Sequence, residues 1–234
     1  MAVDGAERET ASREHVGTVA RGDREGKMSD TKVLGITGGI GTGKSTLARF
    51  FCEQGVPVID VDRLGHRALK PGTPSYDQVV EHFGEGLLDA EGRICRRALG
   101  AIVFSDASAL KRLESITHPA IKAMIQTLLD DQARKKTPLV VLDAALLFEM
   151  GLDADCHEVW VVWCQKDQQI TRVMNRNGST RDEVMRRMNH QMPLAEKKAR
   201  ADRLFDNSGS EAGLRCKFLR VWRDLTVCLG GDDR

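Results

Sequence analysis

The octapeptide Gly38-Gly39-Ile40-Gly41-Thr42-Gly43-Lys44-Ser45 constrains this chain more than any other feature. It fits G-x-x-x-x-G-K-[ST], a loop whose glycines let the backbone curl with its N–H groups turned inward on phosphate oxygens. Such a loop needs a strand before it and a helix after it, because the positive dipole end of the helix completes the cradle. Both neighbours are readable. Val33-Leu34-Gly35-Ile36-Thr37 is a nearly continuous apolar run, as expected of a strand buried on both faces. Leu47, Phe50 and Phe51 recur at helical spacing between Lys44 and Gln54, and Gly55 supplies the stop. Val56-Pro57-Val58-Ile59 then reads as a second strand, entering Asp60-Val61-Asp62. Strand, turn, helix, strand is a βαβ unit, which implies a parallel sheet with right-handed crossovers.

The alternation returns further on. Leu139–Leu142 and Val159–Trp163 are buried-strand candidates, and a Leu204-Phe205 run precedes a turn at Asn207. Ile121, Met124, Ile125, Leu128 and Leu129 mark the apolar face of one helix; Leu214, Phe218, Val221, Trp222 and Leu225 mark the last. Two stretches richer in polar and turn residues interrupt this core, residues 65–100 and 166–193. In the second, Thr180-Arg181-Asp182-Glu183 has capping-box spacing and predicts a short helix. His118 precedes Pro119, which predicts the end of a helix there. The expected fold is α/β: a P-loop nucleotide kinase fold, a parallel sheet flanked by helices, with an inserted helical substrate lobe and a lid.

Composition narrows the class. With 234 residues, 41% of them hydrophobic, the chain can bury one sizeable core. A net charge of +1 gives no bulk attraction to nucleic acid or an anionic membrane, so any bound anion must be held by a local cluster. No apolar run approaches the roughly 18 residues of a membrane span. The six cysteines are scattered without a C-x-x-C pair, and His157 beside Cys156 is an isolated pair rather than a zinc site. They read as reduced thiols of a cytoplasmic protein. Residues 1–27 hold five basic and six acidic residues, no aromatic and no periodic pattern; we read residues 1–30 as a disordered extension, with Met28 an alternative start.

The loop itself assigns roles. The backbone of Gly39 to Thr46 would hold the phosphates of ATP, Lys44 would reach the β- and γ-phosphates, and the Ser45 hydroxyl would ligate Mg²⁺. No N-K-x-D motif points to guanine, and the chain is short for a motor or transport ATPase. That leaves a small-molecule kinase, which must shield the transferring phosphoryl group from water with a lid. The arginine-rich stretch with Arg172, Arg176, Arg181, Arg186 and Arg187 suits one, although a solvated helix face would carry the same charges. Asp62 lies just beyond the second strand, where open α/β sheets place ligands, or else caps a helix from Arg63. Asp143 ends a strand on the same edge; it could hold Mg²⁺ through water, orient Lys44, or cap.

The run Ile36–Thr46 resembles the start of the dephospho-coenzyme A kinase family. Gly55-Val56-Pro57-Val58-Ile59-Asp60-Val61-Asp62, Pro71-Gly72-Thr73-Pro74, His118-Pro119, Leu146-Leu147-Phe148-Glu149, Gln191-Met192-Pro193 and Asp206-Asn207-Ser208-Gly209 match the family in its order, over residues 32–225. The resemblance implies transfer of the γ-phosphate of ATP to the 3′-hydroxyl of dephospho-CoA, the last step of coenzyme A synthesis. It implies a kinase domain over 31–230, with core segments 31–64, 101–165 and 194–230, a CoA-binding lobe over 65–100 and a lid over 166–193. By the same likeness Asp62 is the base that accepts the ribose hydroxyl proton, and Arg172 is the lid arginine that neutralises the moving phosphoryl group. Arg176, one turn on, either does the same or faces solvent. Asn207 lies beside the adenine or forms a turn, and His118 stands near the acceptor or is structural. His66, Arg96 and Arg97 fall in the lobe that takes the pantetheine-bearing substrate. The partners implied are ATP and dephospho-CoA, with no nucleic acid and no membrane; a homo-oligomer is compatible. A P-loop kinase for another nucleoside or small alcohol, and a nucleotide-binding regulator without transfer, are the alternatives. The chain departs from the family pattern at Ala144-Ala145, where x-Pro is usual, and at Cys95-Arg96, where Asp-Arg is common.

Overall fold

Strand side chains alternate between two faces, and here both faces are covered. The structure, a computed structural model, describes residues 31–229; the extension read over residues 1–30 lies outside the described residues. Five strands, β1 (Lys32–Gly38), β2 (Val58–Asp60), β3 (Leu139–Asp143), β4 (Glu158–Trp163) and β5 (Arg203–Asp206), pair in parallel in the order β2-β3-β1-β4-β5. Val33, Val140, Leu142, Val159 and Val161 bury one face of the sheet; Leu34, Ile36, Val141, Trp160 and Val162 bury the other. This is why the strands read as continuous apolar runs rather than alternating ones.

Helices α1 (Lys44–Glu53) and α9 (Glu211–Leu229) cover the second face with Leu47, Phe50, Phe51, Leu214 and Phe218. On the first lie α2 (Val61–Ala68) and α5 (Ala107–Arg134), with Leu64, Ile121 and Ile125 buried. Helices α3 (Pro74–Phe83) and α4 (Arg96–Val103) stand away from the sheet. Their cluster, centred on Val79, Leu87, Leu99 and Val103, takes in Ile116 of α5, so lobe packing continues beyond residue 100. After β4 come α6 (Lys166–Asn177) and α7 (Arg181–Asn189), joined through Ile170, Val173 and Val184, and then the short α8 (Leu194–Ala199).

One local expectation is corrected, at His118, and two points left open are resolved. α5 does not end at His118: it runs 28 residues with Pro119 inside it. Pro119 is exposed, so the carbonyl it leaves without an N–H donor can turn to water. Buried contacts on either side, Ile116 in the lobe cluster and Ile121 in the sheet cluster, hold the helix through that point. Asp62 is not a cap either. β2 stops at Asp60, whose carboxylate accepts from the Arg63 N–H at 2.9 Å, so Asp62 sits within the first turn of α2. The Leu204-Phe205 run belongs to β5, an edge strand of four residues. Between β4 and β1, His157 Nδ1 accepts from the Val33 N–H at 3.0 Å, which gives that histidine a main-chain role.

Candidate active site

The carboxyl ends of the central strands set the site. Asp60 of β2 lies in register with Asp143 of β3, and β1 beside them ends at Gly38, where the phosphate loop begins. With β3 on one side of β1 and β4 on the other, the loops after β1 and β3 open a crevice at this edge. A cavity of about 1030 Å³ occupies it, walled by the phosphate loop, by Asp62, Arg63 and His66 of α2, by Arg96 of α4 and Phe104 just after it, by Arg172 and Arg176 of α6, and by Arg187 of α7.

The loop conformation requires its glycines. Gly41 and Gly43 have φ of 78° and 91°, the left-handed region. A Cβ at Gly43 would also collide with the Asn207 amide nitrogen, which donates to the Thr42 carbonyl at 2.8 Å. Thr42 is buried, its hydroxyl donating to the Gly39 carbonyl at 2.8 Å, and it supports the loop from beneath rather than facing the cavity. Gly39, Ile40, Gly41, Gly43, Lys44, Ser45 and Thr46 all border the cavity. α1 starts at the glycine cap with no side-chain capping bond and no acidic residue in its first turn. Its first N–H groups are therefore available to an anion.

Lys44 is the centre of charge. Its Nζ donates to Asp143 Oδ1 and, at 3.2 Å, to Asp62 Oδ2; its side chain is 13% exposed. Burial works against the ammonium, but the carboxylates of Asp143 and Asp62 outweigh it and hold its pKa above the ordinary 10.5. For Asp143 burial is the larger effect: it lifts the carboxyl above its ordinary value, against the pull of Lys44 and with the neighbouring Asp62 and Asp60 charges adding to the rise. Both values rise, which favours the charged form of Lys44 and the neutral form of Asp143, because the cation has two carboxylates to itself while Asp143 shares one cation. Asp62 is half in solvent, and its Oδ1 accepts from the Ala145 N–H at 3.3 Å.

Helices α4 and α6 contribute unequally. Arg96 Nη1 donates to His66 Nε2 at 2.9 Å, which leaves the histidine neutral with its proton on Nδ1. Burial and the adjacent Arg96 both hold the His66 pKa below 6.5. Cys95, where an aspartate would cap, leaves the start of α4 without a side-chain bond. Arg172 Nη2 donates to the Asn207 carbonyl at 2.9 Å, so this arginine is braced against the segment after β5. Arg176 is exposed at the cavity edge, its Nε donating to Asn177 Oδ1 at 3.1 Å. The structure does not bring His118 to the cavity. It lies half-buried in α5, where burial holds its pKa below 6.5. Arg97 lines a neighbouring hollow with Arg186 and Glu183. Buried Asn207 borders the loop rather than the cavity wall.

Sequence reasoning missed Arg63 and Gln191. Gln191 Oε1 accepts from the Ile40 N–H at 2.9 Å, tying the segment after α7 to the phosphate loop. It stands in a quoted motif block, which was the available signal.

Comparison with known proteins agrees with this geometry. The sequence model of the family described as dephospho-CoA kinase matches residues 32–212. A dephospho-CoA kinase from Geobacter sulfurreducens is 44% identical over 190 residues, 81% of this chain and 96% of that protein. One from Symbiobacterium thermophilum is 40% identical over 201 residues, 86% of this chain and 84% of that protein. Among solved structures, TT1252 from Thermus thermophilus superposes with a TM-score of 0.69 at 36% identity, covering 83% of this chain and 98% of that one. The dephospho-CoA kinase from Campylobacter jejuni gives 0.63 at 27%, covering 83% and 97%. Sequence, fold and the open phosphate cradle thus converge, and the chain belongs to the dephospho-CoA kinase family.

Proposed function

We propose that, in phosphorylating dephospho-CoA with ATP, this chain divides the work among Lys44, Asp62 and the arginines of the lid. The α1 N-terminus and the glycine loop hold the ATP phosphates. Lys44 turns from its carboxylate partners to the β- and γ-phosphates as nucleotide arrives. Asp62, in the first turn of α2 and open to the cavity, orients the 3′-hydroxyl of the ribose and accepts its proton as the new O–P bond to the γ-phosphorus forms and the bond to the bridging oxygen breaks, releasing ADP. Arg172, with Arg176 beside it, offsets charge on the moving phosphoryl group. His66 and Arg96 line the lobe side, where the acceptor enters, and Asn207 holds the loop from behind. The one observation that carries the reading is the pairing of Lys44 with both Asp62 and Asp143 at an uncapped helix start.

The donors suit Mg²⁺. Ser45 brings a hydroxyl and Asp143 a carboxylate to the same edge, and among the described residues no cluster of three His, Cys, Asp or Glu forms a closed metal cage. An open oxygen set completed by phosphate and water is what this ion takes. Ser45 and Asp143 would hold the ion, which when bound would supply positive charge to offset that of the ATP phosphates. Cys52, Cys95, Cys164 and Cys216 are free thiols, and among the described residues no helix is long and apolar enough to cross a membrane. Both suit the cytoplasm.

The test is Asp62→Asn, which keeps size and leaves the Asp60 cap in place. Turnover with dephospho-CoA should fall about 10²–10⁴-fold, while ATP affinity holds. Product is measured as the 3′-phosphorylated coenzyme by mass spectrometry. Equal product from parent and variant moves the base elsewhere.

A further inference from the structure

Lys197 is fully buried, and it is the only Lys or Arg in the buried class among the described residues. Its setting, Glu196-Lys197-Lys198 in the six-residue α8, reads as a solvated face. Instead its ammonium donates to the Ala145 carbonyl at 2.6 Å and pairs with Glu149 Oε1 at 2.9 Å. Burying an ammonium carries a desolvation penalty that an apolar side chain of the same length would avoid, so stability alone does not account for it.

The partners of the pair point to the site. Glu149 Oε1 also accepts from the Met192 N–H at 2.8 Å, one residue beyond the glutamine that holds the phosphate loop. Glu149 Oε2 is buried without a hydrogen bond among the described residues. Ala145 is the residue whose N–H reaches Asp62 Oδ1, and its carbonyl also accepts from the Thr37 hydroxyl at 3.3 Å. A proline at position 145 would fix φ by its ring and could not donate to Asp62. With alanine there, these bonds do the restraining. Lys197 therefore grips one side of a residue whose other side grips Asp62.

We propose that Lys197, paired with Glu149, is a positioning residue for phosphoryl transfer, fixing the Ala145 main chain and through it the Asp62 carboxylate. The proposal rests on the role of Asp62 given above.

The test uses the full chain with Lys197→Met and Glu149→Gln combined, which removes both buried charges while the glutamine still accepts from Met192. The combined variant should keep its melting temperature within a few degrees and its KM for ATP within about twofold. Its kcat should fall about 10- to 100-fold, the scale of a slightly misplaced reacting group. In an Asp62→Asn background the same two substitutions should lower kcat little further, because their loss is contained in that of Asp62. Lys197→Gln, which keeps a donor without the charge, should retain more activity than Lys197→Met, and it serves if the combined variant folds poorly. Parental kcat in the folded combined variant, equal activity of the glutamine and methionine forms, or losses that multiply with Asp62→Asn would each overturn the proposal. An Asp62→Asn protein with parental kcat would instead overturn the role of Asp62, and this inference with it.

Discussion

The starts of α1 and α7 face the same problem and meet it in opposite ways. Each presents first-turn N–H groups that have no partner within the helix. At α7 the chain supplies them: the Thr180 hydroxyl accepts from the Glu183 N–H at 3.3 Å, Glu183 Oε2 accepts from the Thr180 N–H at 2.9 Å, and Asp182 adds negative charge to the dipole. At α1 the cap is a glycine, no side chain reaches the N–H groups, and the first residue is a lysine. A cation at the positive end of a helix is unfavourable by itself, and it becomes favourable once an anion arrives. One helix start is closed for folding and the other is left open for a ligand. The site is where local stability rules are broken and neighbouring carboxylates, Asp62 and Asp143, hold the offending charge in place.

Lys44→Met should break this arrangement most severely. The transferring phosphates lose their cation, so turnover should drop on the order of 10³-fold. Melting temperature should fall too, since Asp143 is 8% exposed and would be left with no cation beside it. An exposed loop lysine would show the first effect without the second. Turnover above a tenth of the parent's, or an unchanged melt, would dissolve the contrast between the two helix starts.

Gly43→Ala attacks the cradle through its backbone. At φ 91° a Cβ costs about 1–2 kcal/mol, and it would also push Asn207 off the Thr42 carbonyl. Nucleotide affinity should fall about tenfold or more, since 1.4 kcal/mol is a factor of ten. Gly178→Ala is the control. Gly178 ends α6 at φ 66° with nothing within 4 Å of an added Cβ, so the same strain arises outside the loop and without a collision. Calorimetric titration should show weaker ATP binding in the first variant alone. Equal loss in both would make the effect one of stability.

What could be read in advance divides along the same line. The α1 loop and the Thr180 capping box were legible because each is decided within a few residues, by glycine conformation and by spacing. The central strands were legible because both faces are buried and few other patterns give such runs. β5 was not, since an edge strand of four residues holds only two apolar ones. Neither was the passage of α5 through Pro119, where burial of Ile116 and Ile121 overrides a local breaker. Gln191 and Lys197 act across 151 and 52 residues of chain, on Ile40 and Ala145. Nothing in a Glu-Lys-Lys run announces that one lysine will be enclosed by a loop folded beside it. The charged centre was half legible: Lys44 and Asp62 from their motifs, their pairing only from the register that brings β2 and β3 level.

Thr180→Ala is the smallest perturbation and the sharpest for the comparison, because it opens the closed helix start. Losing the cap should cost about 1 kcal/mol. In a domain of this size that corresponds to about 2–4 °C if α7 melts with the rest. The α6–α7 pair, however, is held by a small cluster, with only Ile170, Val173 and Val184 fully buried in it. A weakly packed segment opens locally before the whole molecule unfolds. The cost should therefore appear mainly as faster amide exchange in α7, with the global melt moving by less than that figure. ATP affinity should stay within about twofold, since opening a helix start does not make a phosphate site without the glycine loop and Lys44. Unchanged exchange in α7 would mean that the capping bonds carry no stability. Altered ATP affinity would mean that α7 reports to the cradle, and that the two helix starts are not independent.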